Sequence, residues 1–97
     1  KISEIPVEWL SYAQLCDMPQ GGTLSDAEAY FTDAIDGRLA PGEGVIPVAE
    51  MTRALPHDLP ISLEIRSRFY RERYPDPIER AKAILSQTQK FLTQHGL

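Results

Sequence analysis

The chain has 97 residues, with ten Lys and Arg against fourteen Asp and Glu for a formal net charge of −4; 42% of the residues are hydrophobic and 25% charged. That length holds one small domain and not two, and the composition is that of a packed globular protein rather than a disordered or fibrous one. An acid excess is the reverse of what nucleic-acid binding usually requires, the single Cys16 cannot form an intrachain disulfide, and the apolar runs fall short of a membrane span. The expectation is a reduced, cytoplasmic protein with neither a nucleic acid nor a membrane as partner. Because Lys1 is not a Met and no charged-then-apolar leader follows it, the sequence reads as an internal piece of a longer chain.

Between Pro6 and Pro19 the run from Val7 to Asp17 is apolar and aromatic, which predicts a buried strand over residues 8–16, covered on both faces, with Gln14 as its polar exception. Residues 18–24, with Pro19, Gly21 and Gly22, predict a loop. Ser25 and Glu28 have capping-box spacing, and Ala27, Tyr30, Phe31, Ala34 and Ile35 fall on one side of a helix expected over 26–36 and ended by Gly37. Arg38 and Leu39 then lead into a tight turn at Pro41-Gly42-Glu43-Gly44. Pro47 starts a second helix, about 47–55, whose apolar side is Val48, Met51, Ala54 and Leu55.

Strict alternation in Ile61-Ser62-Leu63-Glu64-Ile65 predicts the second strand, and residues 66–74 form a basic and aromatic connection. Asp76-Pro77-Ile78-Glu79 carries an N-cap, a first-turn proline and an acidic first turn. The apolar repeat from Ile78 to Leu92 sustains a last helix over about 77–95, stopped by Gly96. Two buried strands joined by a helical crossover pair in parallel, and such a pair belongs inside a larger sheet.

Glu64 stands near the carboxyl end of one strand, and Gln14 and Asp17 near that of the other, the end where parallel α/β proteins bind ligands. A buried carboxylate needs a cation, a donor or a proton. Glu64 would be satisfied by a divalent metal sharing the Gln14 amide oxygen, or by a structural arginine, Arg66 or Arg38. Arg38 beside a rigid turn suits a carboxylate, phosphate or hydroxyl-rich ligand, or serves only as a cation at a helix C-terminus. His57 and His95 read as solvated, Cys16 as a small apolar packing residue, and the arginines at 66, 68, 71 and 73, with Phe69, Tyr70 and Tyr74, as a clasp for an anion or a partner or, more ordinarily, as a surface cover offset by Glu72 and Asp76.

Tyr12-Ala13-Gln14-Leu15-Cys16-Asp17, then Gly37 to Gly44, then Ile61-Ser62-Leu63-Glu64-Ile65, in that order over nearly all of the chain, resemble the last quarter of the xylose isomerase-like TIM barrels, the sugar phosphate isomerase/epimerase superfamily. The resemblance implies an α/β fold, strands 7 and 8 of a (β/α)8 barrel with their helices, making residues 1–97 the C-terminal segment of one barrel domain. It implies Gln14 and Glu64 as metal ligands, Arg38 as a substrate-binding residue and Asp17 as a residue that orders the loop. Glutamine where histidine is commoner resembles the 3-dehydroshikimate dehydratase branch, although Asp17-Met18-Pro19 departs from its Asp-Ala-Pro motif, and it favours manganese or magnesium over zinc. The implied activity is proton abstraction next to a carbonyl of a sugar or cyclic polyhydroxy acid, as an isomerase, epimerase or lyase. The rest of the barrel, or another chain, would supply the remaining ligands and the acid or base, this segment alone would be inactive, and self-association stays open. The alternatives are a non-catalytic interaction module that keeps barrel motifs, and an endonuclease IV-like repair enzyme, against which the acidic charge and missing histidines count.

Overall fold

The computed structural model describes residues 1–19 and 26–97. Strand β1 (Ala13–Leu15) pairs with β2 (Ile61–Leu63) in parallel, with Ala13 opposite Ile61, Gln14 opposite Ser62 and Leu15 opposite Leu63. Helices α1 (Ala27–Asp36) and α2 (Val48–Arg53) lie in the connection between the strands, and α3 (Arg68–Arg73) and α4 (Pro77–Gln94) follow β2. The parallel pairing and the helical crossover match the expectation from the sequence.

The first strand is much shorter than the apolar run that announced it. Residues Val7–Trp9 form a single 3-10 turn, with Trp9 N–H donating to the Pro6 carbonyl and Leu10 N–H to Val7, and Trp9 is 75% exposed. The strand expected over 8–16 is therefore corrected to 13–15. On the facing side β2 is preceded by Pro60, whose carbonyl accepts from Ala13 N–H but which has no N–H to extend the ladder backward.

Alternation sets the two faces of this small sheet. Leu15 and Leu63 point to one side, where Leu15, Val48 and Phe91 form the core, with Ile46, Ala49, Leu63 and Leu92 packed against it. Gln14 and Ser62 point to the other side, together with Glu64 two residues farther on. Gln14 and Glu64 are both exposed, so the expected burial of these two groups on a doubly covered strand is corrected: within this chain only the leucine face is covered.

Helix ends follow local chemistry. Asp26 caps α1 by accepting from Ala29 N–H at 2.9 Å; the expected Ser25 cap and the loop centre at 20–24 lie outside the described residues. Helix α1 buries none of its residues, and Tyr30, Phe31 and Ile35 on its apolar side are exposed. Pro47 occupies the cap position of α2, which ends at Arg53. Asp76 caps α4 by accepting from Glu79 N–H at 3.0 Å, with Pro77 in the first turn. At the other end Gly96 takes φ +68°, and Leu97 N–H returns to the Leu92 carbonyl at 2.8 Å.

The stretch expected as a plain connection over 66–74 holds the short helix α3. Its signal is Ser67, whose hydroxyl accepts from Tyr70 N–H at 3.2 Å. Arg68 and Arg71 of this helix both reach Asp36 at the end of α1, at 2.9 and 2.7 Å, so Asp36 forms the ion pairs with the basic cluster, while the expected Glu72 adds a favourable charge near Arg71.

Candidate functional site

Beyond the carboxyl ends of β1 and β2 the chain segment 37–39 runs between them and ties them together. Asp17 and Leu39 exchange both backbone hydrogen bonds, at 2.8 and 2.9 Å, and Arg38 N–H donates to the Arg66 carbonyl at 2.9 Å. Arg38 is thus held directly by Arg66 beyond β2 and, through its neighbour Leu39, by Asp17 beyond β1. A recess of about 240 Å³ opens at this end of the sheet, lined by Gln14, Leu15, Cys16, Ala34, Arg38, Glu64 and Arg66. The three residues singled out in the sequence, Gln14, Arg38 and Glu64, therefore meet at one place, although they are separated along the chain by 24 and 26 positions.

The guanidinium of Arg38 has partners of its own. One terminal nitrogen is 3.1 Å from Asp33 Oδ2, a carboxylate contributed by the last turn and a half of α1, and the other donates to Cys16 Sγ at 3.9 Å. Cys16 is half-buried beside this cation rather than packed as an ordinary apolar residue. Glu64 makes no ion pair and no side-chain hydrogen bond among the described residues, so neither Arg66 nor Arg38 claims it.

Asp17 sits just behind the recess and is fully buried. Its Oδ1 accepts from Met18 N–H at 2.8 Å and Ile46 N–H at 2.9 Å, and its Oδ2 from Gly44 N–H at 3.0 Å and Gly42 N–H at 3.1 Å. Four donors on one carboxylate offset the cost of burying its charge and fix the Pro41–Gly44 turn against the end of β1. Gly42 has φ +86°, and its backbone lies against the Phe91 ring.

A second fastening on the same turn was not legible as a site in the sequence. Tyr70, 3% exposed, donates its phenolic hydrogen to Glu43 Oε1 at 2.7 Å, while Glu43 Oε2 accepts from Ala40 N–H at 3.2 Å. Burial and the neighbouring Glu43 carboxylate push the Tyr70 hydroxyl well above its usual titration range. Tyr70 is packed by Phe69, edge-on at 5.3 Å, and by Tyr74, stacked at 6.1 Å. A Ser67 cap followed by an aromatic was the available hint, but its partner Glu43 lies 27 residues earlier.

Gln14 and Glu64 offer an amide oxygen and a carboxylate on one open face, a pair that fits a hard divalent cation better than a soft one. Two such groups are fewer than the about six oxygens that a hard cation takes. Among the described residues no group of three His, Cys, Asp or Glu side chains gathers to hold a metal, so further oxygen ligands would have to join these two. His57 and His95 stand apart from the recess, exposed, the latter tilted over Phe91 at 4.6 Å. No helix among the described residues is long and apolar enough to cross a membrane. No family model, no curated protein and no solved structure matches this chain.

Proposed function

We propose that this chain supplies two adjoining strands, with their helices, of a (β/α)8 barrel whose recess at the strand ends performs metal-dependent isomerisation or epimerisation of a polyhydroxy carbonyl compound. The observation that carries the reading is the convergence of Gln14, Arg38 and Glu64 on one recess at the carboxyl ends of two parallel strands. Further strands would continue the sheet from the free edges of β1 and β2, cover its Gln14 face and bring the remaining ligands and the proton-transferring group.

In this reading Glu64 and Gln14 hold a manganese or magnesium ion, which when bound would polarise the substrate carbonyl and make the adjacent C–H more acidic. Arg38, already fixed on its main chain, presents its guanidinium to substrate oxygens as negative charge develops on them. Asp33 keeps that guanidinium oriented from behind. The glutamine ligand gives a dehydratase-like lyase the same support at the metal and makes it the second reading: loss of water would follow the same proton abstraction.

The test is manganese binding by the full-length protein, followed by titration calorimetry. Glu64→Gln should lower the affinity at least about tenfold, the loss that removing even a hydrogen-bonding partner of a ligand brings, and Gln14→Ala by less. Unchanged manganese affinity in Glu64→Gln would remove the metal assignment and with it this reading.

A further inference from the structure

Residues that do not line the recess fasten the turn that follows one of its lining residues, Arg38. The Pro41–Gly44 turn follows Arg38 after two residues, and it is fastened at two points on opposite sides: to the end of β1 by the Asp17 carboxylate, through Gly42, Gly44 and Ile46, and to α3 by the Tyr70 hydroxyl, through Glu43. Asp17 is fully buried and Tyr70 nearly so, and neither lines the recess. Their bonds span 25 to 29 residues of chain, which makes them tertiary constraints rather than features of a local turn.

We propose that Asp17 and Tyr70 are positioning residues for Arg38. Asp17 acts twice, because its main chain exchanges hydrogen bonds with Leu39, next to Arg38, while its side chain cages the turn that follows. Loss of the cage frees residues 40–46 to drift, and the guanidinium then leaves its seat between Asp33 Oδ2 and Cys16 Sγ. Tyr70 holds the far side of the same turn, so its loss has the same effect in smaller measure. The inference rests on the functional reading only for the role of Arg38 toward substrate; the positioning itself needs neither metal nor substrate.

Cys16 provides the readout, since it is the protein segment's single thiol and lies 3.9 Å from the Arg38 guanidinium. Its alkylation by iodoacetamide is followed in the full-length protein, with any cysteines outside residues 1–97 resolved by peptide mass. Asp17→Asn should change the Cys16 rate in the same direction as Arg38→Ala, by roughly twofold or more, and the double variant should show no further change, the non-additivity expected of residues in one network. Tyr70→Phe, which removes one oxygen and keeps the ring, should move the rate the same way by less. Val48→Ala serves as the contrast: it thins the core, lowers the thermal midpoint and leaves the Cys16 rate unchanged. The proposal is overturned by a wild-type Cys16 rate in Asp17→Asn, or by effects of Asp17→Asn and Arg38→Ala that simply add. If Asp17→Asn does not fold, the same comparison of Tyr70→Phe with Arg38→Ala decides the matter by the same criteria. Manganese affinity measured on the same variants separates this outcome from that of the functional reading, because Gln14 and Glu64 lie outside the cage.

Discussion

Gly44 lies so close to Asp17 that a β-carbon added to it would stand 2.5 Å from Asp17 Oδ1 and overlap the Met18 carbonyl oxygen. The glycine is required by proximity rather than by backbone angle. It lets the main chain approach the buried carboxylate closely enough for its N–H to donate at 3.0 Å. Gly44→Ala must therefore push the turn off Asp17 or distort the end of β1. The expected cost is about 1–3 kcal/mol, in the range of overpacked buried positions. Gly96, by contrast, has open space around it and only a φ of +68° to satisfy, so Gly96→Ala should cost about 1 kcal/mol. Urea denaturation of the two variants side by side checks the order, and an equal or smaller loss for Gly44→Ala would contradict the close approach.

Phe91 closes the core from α4, touching the cluster around Leu15 and Val48 on one side and the Gly42 backbone on the other. Phe91→Ala opens a cavity at the point where the helix, the sheet and the turn meet. The loss should be about 3–5 kcal/mol, a large share of the stability of a small domain. Ile78→Ala and Leu85→Ala on the same helix, both exposed, should change stability by no more than about 0.5 kcal/mol. Thermal midpoints of the three variants are the measurement.

Asp36 receives Arg71 and Arg68, and the hydrogen bond from Arg71 is the main reason its carboxyl is held below the ordinary 3.8; burial opposes it, and the hydrogen bond from Arg68 and the charges of both arginines add to the lowering. A carboxyl with a lowered folded value binds fewer protons folded than unfolded, so its contribution is complete above about pH 4 and fades as pH falls through the folded value. Asp36→Asn should flatten the acid limb of the stability curve below pH 4 and leave its shape at neutral pH unchanged. Because the pair is at the surface, added salt should shrink the difference. An acid limb identical to wild type would show that the contact is not formed in solution.

Tyr70 titrates in the opposite sense. Its hydroxyl is held above the ordinary 10.0, first by burial and then by its hydrogen bond to Glu43, so the folded protein keeps that proton longer than the unfolded chain. The stability it contributes is complete below pH 10.0 and declines as pH rises above it. Tyr70→Phe should remove this alkaline loss while costing about 1.5–3 kcal/mol at neutral pH, the net value of a hydrogen bond to a charged group. Denaturation at pH 7 and about pH 11 on both proteins checks the two halves, and an alkaline loss that persists unchanged in Tyr70→Phe would assign it to other groups.

Much of the local structure was legible because its causes are local. Asp76-Pro77 begins a helix by supplying a cap and a preset φ, Gly96 ends it by taking a left-handed turn, and Ile61-Ser62-Leu63 alternates because a strand puts successive side chains on opposite faces. Each of these is decided within a few residues. The aromatic run at 7–12 misled for the same reason: composition favoured a strand, but a strand needs a partner with free donors, and Pro60 withholds one.

By itself the sequence determined the parallel pairing of the two strands, helices α1, α2 and α4, and the side of β2 on which Ser62 and Glu64 stand, but neither the length of β1 nor the existence of α3. Only the tertiary structure decided that Asp33 claims the Arg38 guanidinium, that Asp36 gathers Arg68 and Arg71, and that Asp17 and Tyr70 fasten one turn from two sides. The physical reason is separation. A cap or an alternation is satisfied by neighbours in the chain, whereas a buried carboxylate takes whichever donors packing delivers, and for Asp17 three of the four arrive from 25 to 29 residues away.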